Sequence, residues 1–164
     1  MAANPLDVKV EGSELTLVRE FNAPRDLVFR AYTEPEHLMQ WWGPSEWPLV
    51  KCTVDLRPGG KWHYCMKSRE TGDESWGLGI YEEIVRPERL VYQDSFSNED
   101  GTVNEDLPTS RTVITFDDIG GRTRLTSKTA YPTAADLETV VQMGMIEGIT
   151  ETLGQLETLL TSLQ

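Results

Sequence analysis

Over much of the chain apolar and polar residues alternate, and this pattern gives way to helical spacing near the start and again at the end. Glu14–Phe21 (ELTLVREF) alternates and carries β-branched residues, which predicts a strand; Asn22-Ala23-Pro24 then supplies a helix start, because proline suits the first helical turn. Leu27, Val28, Ala31 and Tyr32 recur at helical spacing, and Thr33 with Glu36 has the form of a capping box opening a second short helix to about Met39. Beyond the aromatic loop Trp41-Trp42-Gly43-Pro44, the alternating Val50, Cys52, Val54 and Leu56 predict a strand with one buried face, turned back by Arg57-Pro58-Gly59-Gly60. The returning strand sets Trp62, Tyr64 and Met66 on one face against Lys61, His63, Cys65 and Lys67 on the other. A tight connection would place Cys52 opposite Cys65, whereas matching the apolar faces places it across from Met66 and turns the two thiols to opposite sides; the second register is expected.

Further strands are predicted at Ser75–Val85, Arg89–Phe96, Thr109–Phe116 and Arg122–Ala130, with an acidic, glycine-containing loop over Ser97–Pro108. That makes seven strands, nearly all joined as hairpins. Thr133 with Asp136 marks a helix cap, and no proline follows Pro132, so one long helix is predicted to close the chain. Its stripe Ile149, Leu153, Leu156, Leu160 and Leu163 falls on a single face. A meander that is apolar on one face needs a cover, and this helix is the only element long enough. The expected class is therefore α+β: a curved seven-stranded antiparallel sheet around a long carboxyl-terminal helix, with two short helices between strands 1 and 2.

Gly144 and Gly148 interrupt the first half of that helix, each costing about 1 kcal/mol relative to alanine. One reading is close packing on the sheet. The other is space for a ligand between helix and sheet, with Trp62, Tyr64, Trp76, Tyr92 and Met145 as lining.

Size and charge narrow the function classes. The 164 residues, 38% apolar and 26% charged, suit one globular domain over 1–164 with its core at about 14–161. A net charge of −12 disfavours nucleic acid and anionic membrane surfaces as partners. The amino terminus MAANPLDVKV lacks a basic start and apolar stretch, and no run of apolar residues reaches membrane-spanning length, so a cytoplasmic protein without membrane insertion is expected. Cys52 and Cys65 are expected to be free thiols at or near the core.

Motifs for chemistry are sparse. His37 and His63 have no partner at metal-ligand spacing and are expected at the surface, without a metal. No G-x-S-x-G elbow occurs. Gly77-Leu78-Gly79 lacks the third glycine of a dinucleotide fingerprint and sits within a strand, where it would let the sheet bend or a ligand approach the backbone; no cofactor is expected. Asn98-Glu99-Asp100-Gly101 does not fit an EF-hand, since the first ligand would be Phe96; a surface loop is expected, with gating of a pocket mouth as the alternative. Asp94, on the strand face of Tyr92 and Phe96, and Arg19, on the face of Leu17 and Phe21, are charges on apolar faces. Such charges need partners: they either orient a ligand's polar end or serve as structural ion pairs and strand-end residues.

The ordered set Arg19-Glu20-Phe21-Asn22-Ala23-Pro24, Trp41-Trp42-Gly43-Pro44, Asp55-Leu56-Arg57-Pro58-Gly59-Gly60, Glu83 to Val91 (EEIVRPERLV from Glu82 on) and Gly148-Ile149 resembles the SRPBCC/START-like superfamily, in its branch of activators of heat-shock protein 90 ATPase homologues. The likeness spans roughly Leu15–Leu160. It implies a helix-grip fold with a pocket between sheet and last helix. Trp42, Leu78, Asp94, Phe96, Gly144 and Gly148 thereby join Trp62, Tyr64, Trp76, Tyr92 and Met145 as candidate ligand-binding positions. In that branch a Gly-Trp pair usually opens the middle of the last helix; here Met145 follows Gly144, exchanging an indole for a flexible thioether at a cavity position. The resemblance implies binding of an apolar small molecule, lipid or polyketide-like. It offers as alternatives stimulation of the chaperone ATPase, with the heat-shock chaperone as partner, and a cyclase or hydrolase in which Asp94 and Tyr92 act as acid or base. Exposed aromatics at Trp41–Trp47 would cap the pocket or join two subunits, leaving monomer and homodimer both open.

Overall fold

A computed structural model describes residues 6–164. Its strands form one antiparallel sheet in the order β1-β2-β8-β7-β6-β5-β4-β3, with two short helices between β2 (Glu14–Phe21) and β3 (Leu49–Val54) and two more after β8 (Thr123–Ala130). The sheet therefore has eight strands instead of seven. The added one, β1 (Asp7–Glu11), pairs along β2 and is exposed at every position, with Val8 and Val10 open to solvent. Its alternation DVKVE is not coupled to burial, so it carried no core signal.

The hairpins follow from alternation and turn chemistry. β3 and β4 (Lys61–Lys67) pair about Arg57–Gly60, β5 (Glu74–Val85) and β6 (Arg89–Ser97) follow, and β7 (Ser110–Asp118) returns to β8. A bulge in β3 sets Leu49 opposite Met66 and Lys51 opposite Cys65, which turns Val50 outward and pairs Cys52 with Tyr64. Neither simple register holds, because the extra residue shifts the pairing. The thiols nonetheless lie on opposite faces: Cys52 packs on the main core, while Cys65 is buried on the other side across from Trp76.

α1 (Arg25–Thr33) and α2 (Pro35–Trp41) close one end of the concave face. The junction is not a capping box. Thr33 turns its hydroxyl back to the Phe29 carbonyl (2.9 Å), and α2 starts with Glu34 as cap and Pro35 in its first turn. Trp41 ends α2 instead of lying in a loop; it is buried, donating its indole N–H to the Ala31 carbonyl at 2.9 Å.

The predicted closing helix is two helices, α3 (Ala134–Gln142) and α4 (Met145–Ser162). Thr133 caps α3 as expected, accepting from the Asp136 N–H at 3.1 Å. Gly144 breaks the run with φ of 89°, a left-handed conformation that suits glycine. Along α4, Leu153, Leu156, Leu159 and Leu160 are buried with Trp62, Leu90, Ile114, Phe116 and Leu125 in the main core. Leu163 follows the last turn and is exposed. Leu137 and Val140 of α3 form a smaller cluster with Leu15 and Leu17 of β2.

Candidate functional site

Between these clusters lies a cavity of about 350 Å³, lined by the concave face of the sheet, the corner between α3 and α4, and Trp42-Gly43-Pro44 at its rim. Its shape begins with two glycines in β5. A side chain at Gly77 would collide with the Tyr64 ring, and a Cβ on Gly79 would stand 3.2 Å from the Trp62 ring and 3.4 Å from that of Tyr92. The rings therefore lie down on the strand instead of standing off it. Beyond the expected room for sheet bending or ligand approach, these glycines seat aromatic side chains.

Strand period then decides which predicted residues meet. Tyr92, Asp94 and Phe96 share the concave face, with Asp94 flanked by Gly79 on β5 and Ser110 on β7. Tyr64 and half-buried Trp42 line the cavity, as do Gly144, Met145 and Gly148 from the helical corner. Gly144 is favoured by its backbone conformation, whereas a Cβ on Gly148 would make only ordinary contact with Pro44 Cγ at 3.4 Å. Trp62 lies behind the wall, 1% exposed, with its ring 4.7 Å from Trp42, 4.9 Å from Tyr64 and 5.7 Å from Tyr92.

Two candidates point away. Leu78 pairs with His63 and Ser95 on the opposite face and is buried there, outside the lining. Trp76 borders the cavity, but its indole stacks on the His63 imidazole at 4.9 Å, with the Lys51 ammonium 5.8 Å from the ring. Both sit one residue out of phase with Gly77 and Gly79; Trp76 still reaches the cavity edge, whereas Leu78 does not. His63 and His37 are partly buried instead of at the surface; His37 Nε2 lies 3.2 Å from Glu34. Among the described residues no cluster of His, Cys, Asp or Glu is arranged to hold a metal ion.

The two apolar-face charges resolve differently. Arg19 is 4% exposed and ion-paired with Glu157, fastening β2 to α4 outside the cavity. That is the structural alternative. The Asp94 carboxylate has neither an ion pair nor a side-chain hydrogen bond among the described residues, and burial pushes its pKa up to about 7. Among the described residues of the lining it is the only one of Asp, Glu, Lys, Arg or His. Around it, burial and then the Asp94 charge hold the Tyr64 and Tyr92 phenols well above their ordinary range, and the same two causes push Tyr131 up to about 12.

Several lining residues escaped sequence reading. Leu15 and Leu17 of β2, Ser110 and Thr112 of β7, Ser127 and Thr129 of β8, Tyr131 and Thr152 complete the wall. Thr112 and Thr129 face each other across strands with hydroxyls 3.0 Å apart. The signal was present in part: Thr112 and Ile114 stand at the period that marks the concave face. Which hydroxyls border empty space depends on where α4 stops covering the sheet.

A sheet that grips its last helix over an internal cavity defines a helix-grip domain. Within that class the chain belongs to the family described as Activator of Hsp90 ATPase homolog 1-like protein, whose model matches residues 22–161. It is similar in structure to a Mycobacterium smegmatis protein solved by crystallography, at 35% identity and TM-score 0.86, covering 94% of this chain and 96% of that one. A Nitrosomonas europaea protein solved by X-ray crystallography shows 33% identity and TM-score 0.79 over 91% of this chain and 94% of that one. The solution structure of an Arthrobacter aurescens protein gives 28% identity and TM-score 0.87 over 96% and 91%. No curated protein matches the chain.

Proposed function

We propose that the domain binds an apolar small molecule, lipid or polyketide-like, in the cavity between sheet and α4. The observation that carries this reading is the cavity itself: about 350 Å³, in the size range of small-molecule sites and lined mostly by aromatic and aliphatic side chains, with seven serine and threonine hydroxyls, four tyrosines and one carboxylate. The cavity opens to solvent on one side, which gives a small molecule a route in. Trp42, Tyr64, Tyr92, Phe96, Met145 and Gly148 would supply the contact surface. The co-chaperone reading and the cyclase or hydrolase reading rest on the family likeness alone. No helix among the described residues is long and apolar enough to cross a membrane.

Thermal melting against a library of lipids and aromatic compounds tests the reading. A ligand at 100 times its dissociation constant stabilises the folded state by about 2.7 kcal/mol, which raises the melting temperature by ~5–10 °C for a chain of this size. No shift with any compound, together with a structure in which side chains fill the cavity, would sink it.

A further inference from the structure

The polar content of the cavity is one-sided. Among the described residues its lining contains Asp94 and no lysine, arginine or histidine, so none of them neutralises that carboxylate. The basic residue nearest in character, Arg19, is buried elsewhere and committed to Glu157. Among the described residues the groups beside Asp94 are neutral: Tyr64 from β4, Gly79 from β5, Tyr92 from β6, Ser110 from β7 and Tyr131 beyond β8, while α4 adds only neutral residues to the shared lining.

A half-buried carboxylate left without a partner against a largely apolar wall is costly, and structures that retain one ordinarily give it a cation or a donor. The rings of Tyr64 and Tyr92 add a second preference of the same sign, because aromatic faces attract cations. The protein's net charge of −12 adds a third, favouring the approach of cations over anions. We infer that the cavity selects an apolar ligand bearing one protonated amine, with the ammonium paired to Asp94 and the apolar body lying against the aromatic wall. This rests on the proposed binding role and specifies the ligand class for that same cavity.

Three probes with one skeleton test it by calorimetric titration at pH 8: 2-(naphthalen-1-yl)ethylamine, the corresponding alcohol and the corresponding carboxylic acid. The amine is expected to bind about tenfold or more tighter than the alcohol, the value of one charge-assisted hydrogen bond, with the acid weakest. Asp94→Asn is expected to abolish the amine preference while changing the alcohol's affinity by less than about threefold. Asp94→Ser serves as a second neutral variant, and circular dichroism establishes that each is folded. Equal affinities for amine and alcohol, or an amine preference that survives both substitutions, would overturn the inference and leave cavity binding standing. If none of the three probes binds while library compounds do, the inference alone falls. If neither probes nor library bind, the binding role falls with it.

Discussion

The two ends of α4 meet the same sheet and do opposite things. Toward the carboxyl end, Leu153, Leu156, Leu159 and Leu160 are fully enclosed by aromatic and aliphatic side chains of α1, α2 and the sheet. Toward the amino end, Gly144, Met145, Gly148 and Ile149 are only partly buried and border the cavity. Close packing concentrates stability at one end and leaves the other free to accept a molecule, since interior packing at crystal-like density gives the larger share of the folding free energy. The contrast also explains the ion pair of Arg19 with Glu157, which ties β2 to the packed end of α4 and leaves Asp94 as the unmatched charge of the open end.

Substitutions at the two ends would break or sharpen this comparison. Leu156→Ala should destabilise by roughly 2–5 kcal/mol in chemical denaturation, whereas Ile149→Ala at the cavity wall should cost ~1 kcal/mol or less, because its side chain already borders space. Similar losses at both sites would erase the distinction. Gly77→Ala forces the Tyr64 ring off β5 and into the cavity, so it should cost about 1–3 kcal/mol and weaken any cavity ligand, measured by melting and titration.

Asp94→Asn should act in the other direction, raising stability at pH 8 by roughly 1–2 kcal/mol once residual solvation in the cavity is allowed for. The sign follows from proton binding. The folded-state pKa, about 7, lies above the unfolded value near 4, so between them the folded state holds a proton that the unfolded state has lost. This contribution to stability is fully present below about pH 4 and is lost as pH rises through about 7; the substitution should flatten that slope in urea titrations. A steeper slope in the variant would contradict the placement of Asp94. A comparably small effect, about 1 kcal/mol, is expected for Gly144→Ala from the left-handed backbone at the α3–α4 corner, read as a lower melting temperature.

Much of the fold was legible in the sequence because one buried face imposes a period of two on strands and a stripe on a helix. β2 from Glu14 to Phe21, the Arg57–Gly60 turn and the cap at Thr133 follow from that rule and from turn and cap chemistry. The elements that differed are those where another force wins. β1 is exposed throughout and is recruited by an open edge, the β3 bulge inserts a residue without a sequence signature, and Gly144 stops a helix whose apolar stripe continues past it. At the site, Tyr64, Tyr92, Asp94, Phe96, Met145 and Trp76 border the cavity as phase and resemblance suggested, while Leu78 lies on the other side of its strand.

By itself the sequence determined the antiparallel meander, the helix that covers it and the presence of two charges on apolar faces, because these depend on local periodicity and composition. Only the tertiary structure decided that Arg19 finds Glu157 while Asp94 finds no ion-pair partner among the described residues, and that the rings of Tyr64 and Trp62 recline on Gly77 and Gly79. Such outcomes depend on which distant residues are brought face to face, and pairing across the fold leaves no trace in the spacing of neighbours along the chain.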